Sequence, residues 1–255
     1  MHVLQLSATD GLGASDDPSS TLNCSVASDK ATEVVFIALL DRIVSGQIDA
    51  GSTLPGETAL AQEFGVSRPV VRETLSRLTQ AGLIETQRGG GSRVEDWSRR
   101  AGLELVPSLL GLQPSPLPDM SESLFDLREI VYSDGARLCA LRAPDELITE
   151  IHAMGQSLLR QARPSRRDHL PYSPFWDTIM SGSGSFAHQL ALNSLNNVTR
   201  LVMANPRIHA YIEQSTYDPE PYALLAQTIA LRNGEAARAA AQATMIEVRE
   251  FWTSI

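Results

Sequence analysis

Residues 54–94, LPGETALAQEFGVSRPVVRETLSRLTQAGLIETQRGGGSRV, constrain the fold more than any other stretch of the chain. Two short amphipathic segments are separated there by no more than Gly65-Val66. Leu60, Ala61 and Phe64 share one face of the first, and Val71, Leu75 and Leu78 share one face of the second. Gly65 permits a sharp turn, and Ser67 is a natural N-cap for the helix that follows. Ala81-Gly82 ends that helix. Residues 83–87 then predict a strand, 88–91 a hairpin tip and 92–95 the return strand.

Helix, tight turn, helix and hairpin in this order form the plan of a winged helix-turn-helix, a module that lays its second helix in the DNA major groove. The formal net charge of −9 argues against a protein that coats nucleic acid without sequence preference. The positive charge is nonetheless concentrated where reading elements are expected. From residue 68 to 100 it comprises Arg68, Arg72, Arg77, Arg88, Arg93, Arg99 and Arg100, against Glu73, Glu85, Glu95 and Asp96. Lys30 is the only lysine, so a phosphate clamp must be built from arginine. Arg68 and Arg72, four residues apart, point the same way, and either can fork onto guanine for about 1–3 kcal/mol. Ser67 and the free N–H groups of the helix start suit a phosphate oxygen. The glycines after Arg88 let backbone approach a phosphate or the minor-groove floor. Two exposed arginines on an isolated helix would be an ordinary solvated face. Here the helix before them, the turn and the wing are all in register, which favours DNA.

The rest of the chain reads as helix. Val35, Leu39, Leu40 and Ile43 give residues 31–45 one buried face, with Gly46 as the stop. Later stripes are Leu124, Leu127, Val131, Leu138 and Leu141, closed by Pro144, and then Leu147, Ile151, Met154 and Leu158. Further segments begin near Tyr172, Ser185, Pro206, Pro219 and Gly234. The expected organisation is a mobile tail at 1–30, a winged helix-turn-helix domain at 31–96, a linker at 97–118 and an all-helical effector-binding and dimerisation domain at 119–255. The fold class is therefore mostly α, an N-terminal winged helix-turn-helix with a small β-wing followed by a C-terminal bundle of about six helices. No apolar run is long enough to span a bilayer, and the polar start lacks the basic and apolar regions of a secretory signal. Cys24 and Cys139 are the only cysteines, one in the tail and one on an apolar helix face. No structural disulfide is expected, and a reducing cytoplasm fits.

The segments L-P-G-E-T-x-L-A, F-G-V-S-R-x-x-V-R-E-T-L-x-R-L and G-L-I-E-x-x-x-G-x-G-S-x-V resemble the N-terminal domain of the GntR transcription regulators. By that resemblance Ser67, Arg68, Arg72, Arg88 and Gly89 inherit DNA-facing roles. Thr58 stands where the family usually places a DNA-contacting arginine, and Pro69 and Val70 stand where small hydroxyl residues are common. The second half resembles, more loosely, the helical effector domain of the FadR branch, with F-D-L-R-E-I-V-Y-S-D-G-A-R-L-C-A at 125–140 matching its first helix. The resemblance implies a homodimeric, sequence-specific regulator, read as a repressor, on a palindromic operator in double-stranded DNA, controlled by a small-molecule effector.

Many members of that branch hold a metal through an Asp-x-x-Phe-His segment and two later histidines. This chain has Tyr172-Ser-Pro-Phe175-Trp176, then Tyr222, and roughly Ile246 at the last position, so no metal and no cofactor are expected. Exchanging an acid and histidines for Tyr172, Trp176 and Tyr222 makes a polar cavity aromatic and amphipathic, suited to an apolar or acyl ligand with a few polar anchors. The other outcome is that these aromatics simply fill the old cavity. Arg128 falls where the branch often has an arginine for an effector carboxylate. A fatty-acid or acyl-CoA effector is expected, with a small organic acid, or no ligand at all, as alternatives. An enzyme using His169 or His188 as a base has no support from any nucleophile motif, phosphate loop or paired carboxylates, so no catalytic residue is expected.

Overall fold

The computed structural model describes residues 18–87, 91–112, 120–160, 174–204 and, apart from 207–209, 211, 213–214 and 216, residues 206–253; side chains are described from 29 to 252. The chain divides into two compact units, 1–101 and 102–255. It is mostly helical, and its described strands form one small two-stranded sheet.

The first unit opens with α1, Pro18–Val44, which starts well before the helix expected at residue 31. A proline is tolerated in the first helical turn because its missing N–H has no partner there in any case, and no Gly or Pro interrupts the run that follows it. Val35, Phe36, Leu39, Leu40 and Ile43 form its buried face, 0–4% exposed. Helix α2 is Glu57–Phe64, and Gly65 ends it with φ 65°, the left-handed conformation that costs glycine least. Helix α3, Arg68–Gln80, buries Val70, Val71, Thr74 and Leu78. Leu75, expected on that face, is only half-buried, and Val70 and Thr74 take the inward positions instead. The Thr74 hydroxyl is satisfied by the Val70 carbonyl at 3.0 Å.

Strands β1, Ile84–Gln87, and β2, Gly91–Val94, pair antiparallel, with Ile84 opposite Val94 and Gln87 opposite Gly91. Residues 51–54, in the Gly- and Pro-rich stretch between α1 and α2, also join this sheet. Leu54 N–H donates to the Ser92 carbonyl and Val94 N–H to the Ser52 carbonyl, both at 2.8 Å. The wing is thereby anchored on both sides of β2. Helix α4, Trp97–Arg100, follows.

The second unit begins with a short 3-10 turn at Leu103–Leu105 and α5, Val106–Leu110, where the sequence predicts a connector with a short apolar helix. It continues with α6 Met120–Arg142, α7 Asp145–Leu159, α8 Pro174–Gly182, α9 Phe186–Met203, α10 Glu220–Ala230 and α11 Gly234–Thr253. Helix α6 packs along α11 and α8, and α7 along α10. A Cβ added at Gly155 would lie 2.4 Å from Ala226 Cβ, so α7 and α10 meet almost backbone to backbone. The expected stripe on α6 is partly displaced. Leu141 is 54% exposed and Ile130 65%, while Arg128 and Tyr132 turn inward. Among the described residues no helix is long and apolar enough to cross a membrane.

Candidate nucleic-acid interface and effector cavity

Helix α3 presents its N-terminal turn outward. Ser67 has the extended backbone of an N-cap, φ −75° and ψ 154°, yet its hydroxyl makes no capping bond. Its hydroxyl and the first-turn N–H groups therefore remain available to an external acceptor. Pro69 sits inside that turn, where its missing N–H is harmless. Arg68 is exposed, with Glu57 at 3.7 Å, a solvent-screened pair that a phosphate or base can displace. Arg72 is exposed one turn on, and Thr58 is exposed on α2. Val70 is 5% exposed and belongs to the core, so only Pro69 of the two substituted positions faces solvent. Arg88 and Gly89 lie outside the described residues.

The arginines between 68 and 100 do not act alike. Arg77 donates to Glu33 at 2.7 Å and its guanidinium lies over the Phe36 ring at 4.5 Å, which ties α3 to α1. Arg93 Nε donates to the Gly51 carbonyl at 3.2 Å inside the sheet. Arg72 has no such partner among the described residues and stays directed outward.

In the helical unit Trp176 and Tyr222 are core residues, 0% and 1% exposed. Trp176 meets Tyr132 edge-on at 4.7 Å between centroids, and Phe175 and Tyr217 complete the cluster around Tyr222. The indole Nε1–H of Trp176 is buried and finds no acceptor among the described residues. Tyr172 lies outside the described residues, as do His169 and His209. Ile246 is 52% exposed on α11, with Thr244 and Met245 turned inward beside it, so it does not complete the aromatic site. His188 is built into the scaffold: its Nδ1 meets the Ser185 hydroxyl at 2.8 Å and its Nε2 meets Asp134 at 3.3 Å.

A cavity of about 260 Å³ lies instead beside Arg128, walled mainly by Leu124, Phe125, Val198, Val202 and Trp252. Arg128 is 6% exposed. Its Nη2 donates to the Leu195 carbonyl at 2.8 Å and to the Thr199 hydroxyl, both uncharged acceptors. No carboxylate pairs with it among the described residues. Burial pulls its pKa below the ordinary arginine value, with Tyr132 opposing that shift, and the same burial pushes the Tyr132 phenol well above its usual range. Leaving a charge buried and unpaired costs several kcal/mol, on the order of the desolvation penalty of an ion in a protein interior. The cavity thus combines apolar walls with a buried guanidinium that no described carboxylate neutralises.

A three-residue turn between α2 and an outward-facing α3, followed by a braced hairpin, defines a winged helix-turn-helix protein of the DNA-binding regulator class. Residues 31–94 match the family model described as bacterial regulatory proteins, gntR family. The chain is 31% identical to the HTH-type transcriptional regulator Mce2R of Mycobacterium tuberculosis over 212 residues, covering 82% of this chain and 86% of that protein. It belongs to the GntR family of transcriptional regulators and is not an enzyme. It is also 28% identical over 188 residues to a fatty acid metabolism regulator protein of Shewanella sp., covering 66% of this chain and 78% of that one. A fatty acid metabolism regulator protein of Erwinia tasmaniensis is 28% identical over 172 residues, covering 66% of this chain and 71% of that one. These relatives make the chain FadR-like within its family.

Proposed function

We propose that this regulator is a cytoplasmic homodimer that reads a palindromic operator through Ser67, Arg68 and Arg72, with Arg88 and Gly89 at the wing and Thr58 beside them. The exposed Arg68 and Arg72, one helical turn apart, support direct readout of guanine. With a threonine at residue 58, the grip leans on α3 and the wing. Two-fold pairing of such heads predicts half-sites related by a dyad. A footprint showing two symmetric half-sites, together with a dimer mass in sedimentation, is the expected outcome; a single unrepeated site on a monomer would overturn it.

The effector in this reading is an anionic amphiphile of the fatty-acid or acyl-CoA type, and its acidic group meets Arg128. The observation that carries it is the buried, carboxylate-free guanidinium in the wall of an apolar cavity. The names of the Shewanella and Erwinia relatives as fatty acid metabolism regulators point the same way. Trp176 acts from behind, packed edge-on against Tyr132 of the helix that carries Arg128, with Tyr222 backing it through Phe175 and Tyr172 preceding the same helix as Trp176. Release of DNA on ligand binding, the behaviour of a repressor, is the expected sense. Calorimetry with palmitate, palmitoyl-CoA and succinate tests the ligand class. Heat from the acyl compounds that disappears in Arg128→Met supports it, and heat from succinate alone moves the reading to small organic acids. A second reading, a regulator with no ligand, is favoured by the complete burial of the Trp176–Tyr222 cluster and predicts no heat from any of the three.

A further inference from the structure

The tie between Arg128 and α9 runs through two residues one helical turn apart. Arg128 Nη2 donates to the Leu195 carbonyl at 2.8 Å and to the Thr199 hydroxyl, which commits both of its hydrogens. Thr199 is buried, and its own proton goes to the same Leu195 carbonyl at 3.2 Å. Inside a helix that oxygen also receives the Thr199 N–H. A carbonyl has two lone pairs, so three donors oversubscribe it. Departure of the guanidinium therefore leaves the Thr199 hydroxyl and the Leu195 carbonyl bonded to each other, and neither is orphaned. Arg128 and Thr199 both line the apolar cavity, so an anion placed against one is beside the other. One turn along α6 the Tyr132 hydroxyl donates to Asn196 Oδ1 at 3.3 Å, a second polar link between the two helices that does not involve Thr199.

We infer that Thr199 sets the strength of effector binding: its hydroxyl is the acceptor that Arg128 gives up when the acidic group of the ligand arrives. This role for Thr199 rests on the proposed acidic effector at Arg128. A carboxylate is a stronger partner for a guanidinium than a neutral hydroxyl is, so the exchange runs toward the ligand. The ligand nonetheless replaces a hydrogen bond already made, and its affinity falls below what a less satisfied guanidinium would give. Thr199 is thus a positioning residue. It keeps the buried cation bonded in the ligand-free protein, and by the same interaction it weakens the grip on the anion. A hydroxyl that donated to the ligand directly would have the opposite effect on affinity, and the proton of Thr199 is already committed to Leu195.

The test uses the full-length protein and calorimetric titration with palmitate. Thr199→Val keeps the branched side chain and removes the acceptor, so it binds palmitate about fivefold or more tightly than the wild type, because the ligand now satisfies a donor left unpaired. Thr199→Ser restores the hydroxyl and binds within about twofold of the wild type. Added to Arg128→Met, Thr199→Val produces no gain, since the group that changes partners is gone. A purely structural role would lower the melting temperature of Thr199→Val without tightening its hold on palmitate. Thr199→Ala carries the same expectation and stands in if Thr199→Val does not unfold cooperatively. An affinity equal to or weaker than that of the wild type, or a gain as large in Thr199→Ser, overturns the inference. No heat from palmitate with the wild-type protein refutes instead the effector reading on which it rests.

Discussion

Arg128 Nη2 donates to the carbonyl of Leu195 at 2.8 Å, joining α6 to α9 through a cation that no described carboxylate neutralises. A neutral side chain of similar length would pack there more cheaply, because burying an ion is costly and a backbone carbonyl repays only part of it. The arginine is thus a liability to the empty protein and an asset to one that receives an anion.

Arg128→Met is accordingly expected to stabilise the ligand-free protein by about 1–3 kcal/mol, since the desolvation cost disappears while methionine fills the space. The same variant loses the thermal shift that palmitate gives the wild type. Urea unfolding and thermal melts with and without palmitate check both halves. A variant less stable than wild type, or one still stabilised by palmitate, contradicts the role given to Arg128.

Arg72 and Arg77 stand on one helix and predict opposite behaviour. Arg72→Ala costs roughly 1–3 kcal/mol of preference for a selected duplex over a scrambled one, with an unchanged melting temperature. Arg77→Ala leaves that preference intact and lowers stability, because it frees Glu33 and uncovers Phe36. Anisotropy titrations paired with melts separate the two.

That division was not legible in the sequence, where both residues counted as positives of the reading element. Periodicity gave the helices and the turn because the apolar faces and the punctuating Gly65, Ser67 and Gly82 are local signals. It placed Leu75 on the core face with Val71 and Leu78, whereas Val70 and Thr74 are the buried neighbours, because the width of the buried arc depends on how α1 and β1 press on α3. It missed the pairing of residues 51–54 with β2, since a Gly/Pro-rich stretch bonded through backbone alone leaves no side-chain pattern. On α6 family likeness, not periodicity, points to Arg128, and it does not supply the residue's surroundings. The lack of a carboxylate beside Arg128 among the described residues and the separation of Trp176 and Tyr222 from the cavity lining are properties of three-dimensional packing.

Gly155 carries the contact between α7 and α10. Gly155→Ala gains about 1 kcal/mol of helix propensity but puts a methyl 2.4 Å from Ala226 Cβ, backed by the Ala223 backbone. Overpacking of this kind costs about 1–3 kcal/mol, so the net expectation is a lower melting temperature. Gly135→Ala meets the flexible end of Met180 instead and costs less. Denaturant unfolding of the two variants reads the difference.

Asp134 ties α6 to α9 and α11. The Arg137 guanidinium beside it, with Arg238 and His188 adding to the effect, holds its carboxyl below the usual range against a smaller opposing push from burial. A depressed folded pKa contributes stability above the unfolded value, about 3.9, and that contribution is lost as pH falls through the lower folded value. Asp134→Asn therefore destabilises by roughly 1–3 kcal/mol at neutral pH. Melts from pH 7 downward should show the gap between variant and wild type closing below about pH 4. A gap independent of pH would assign the loss to packing.

Binding of an anionic acyl ligand beside Arg128 is expected to change the DNA affinity of the reading unit, and a single titration tests that coupling. The wild-type protein is bound to its selected duplex, fluorescence anisotropy is followed as palmitoyl-CoA is added, and palmitoyl alcohol serves as the neutral control. The predicted result is a change of about fivefold or more in apparent DNA affinity with palmitoyl-CoA, none with the alcohol, and none with either in Arg128→Met. An affinity unmoved by palmitoyl-CoA in the wild type, or moved equally in Arg128→Met, would contradict it.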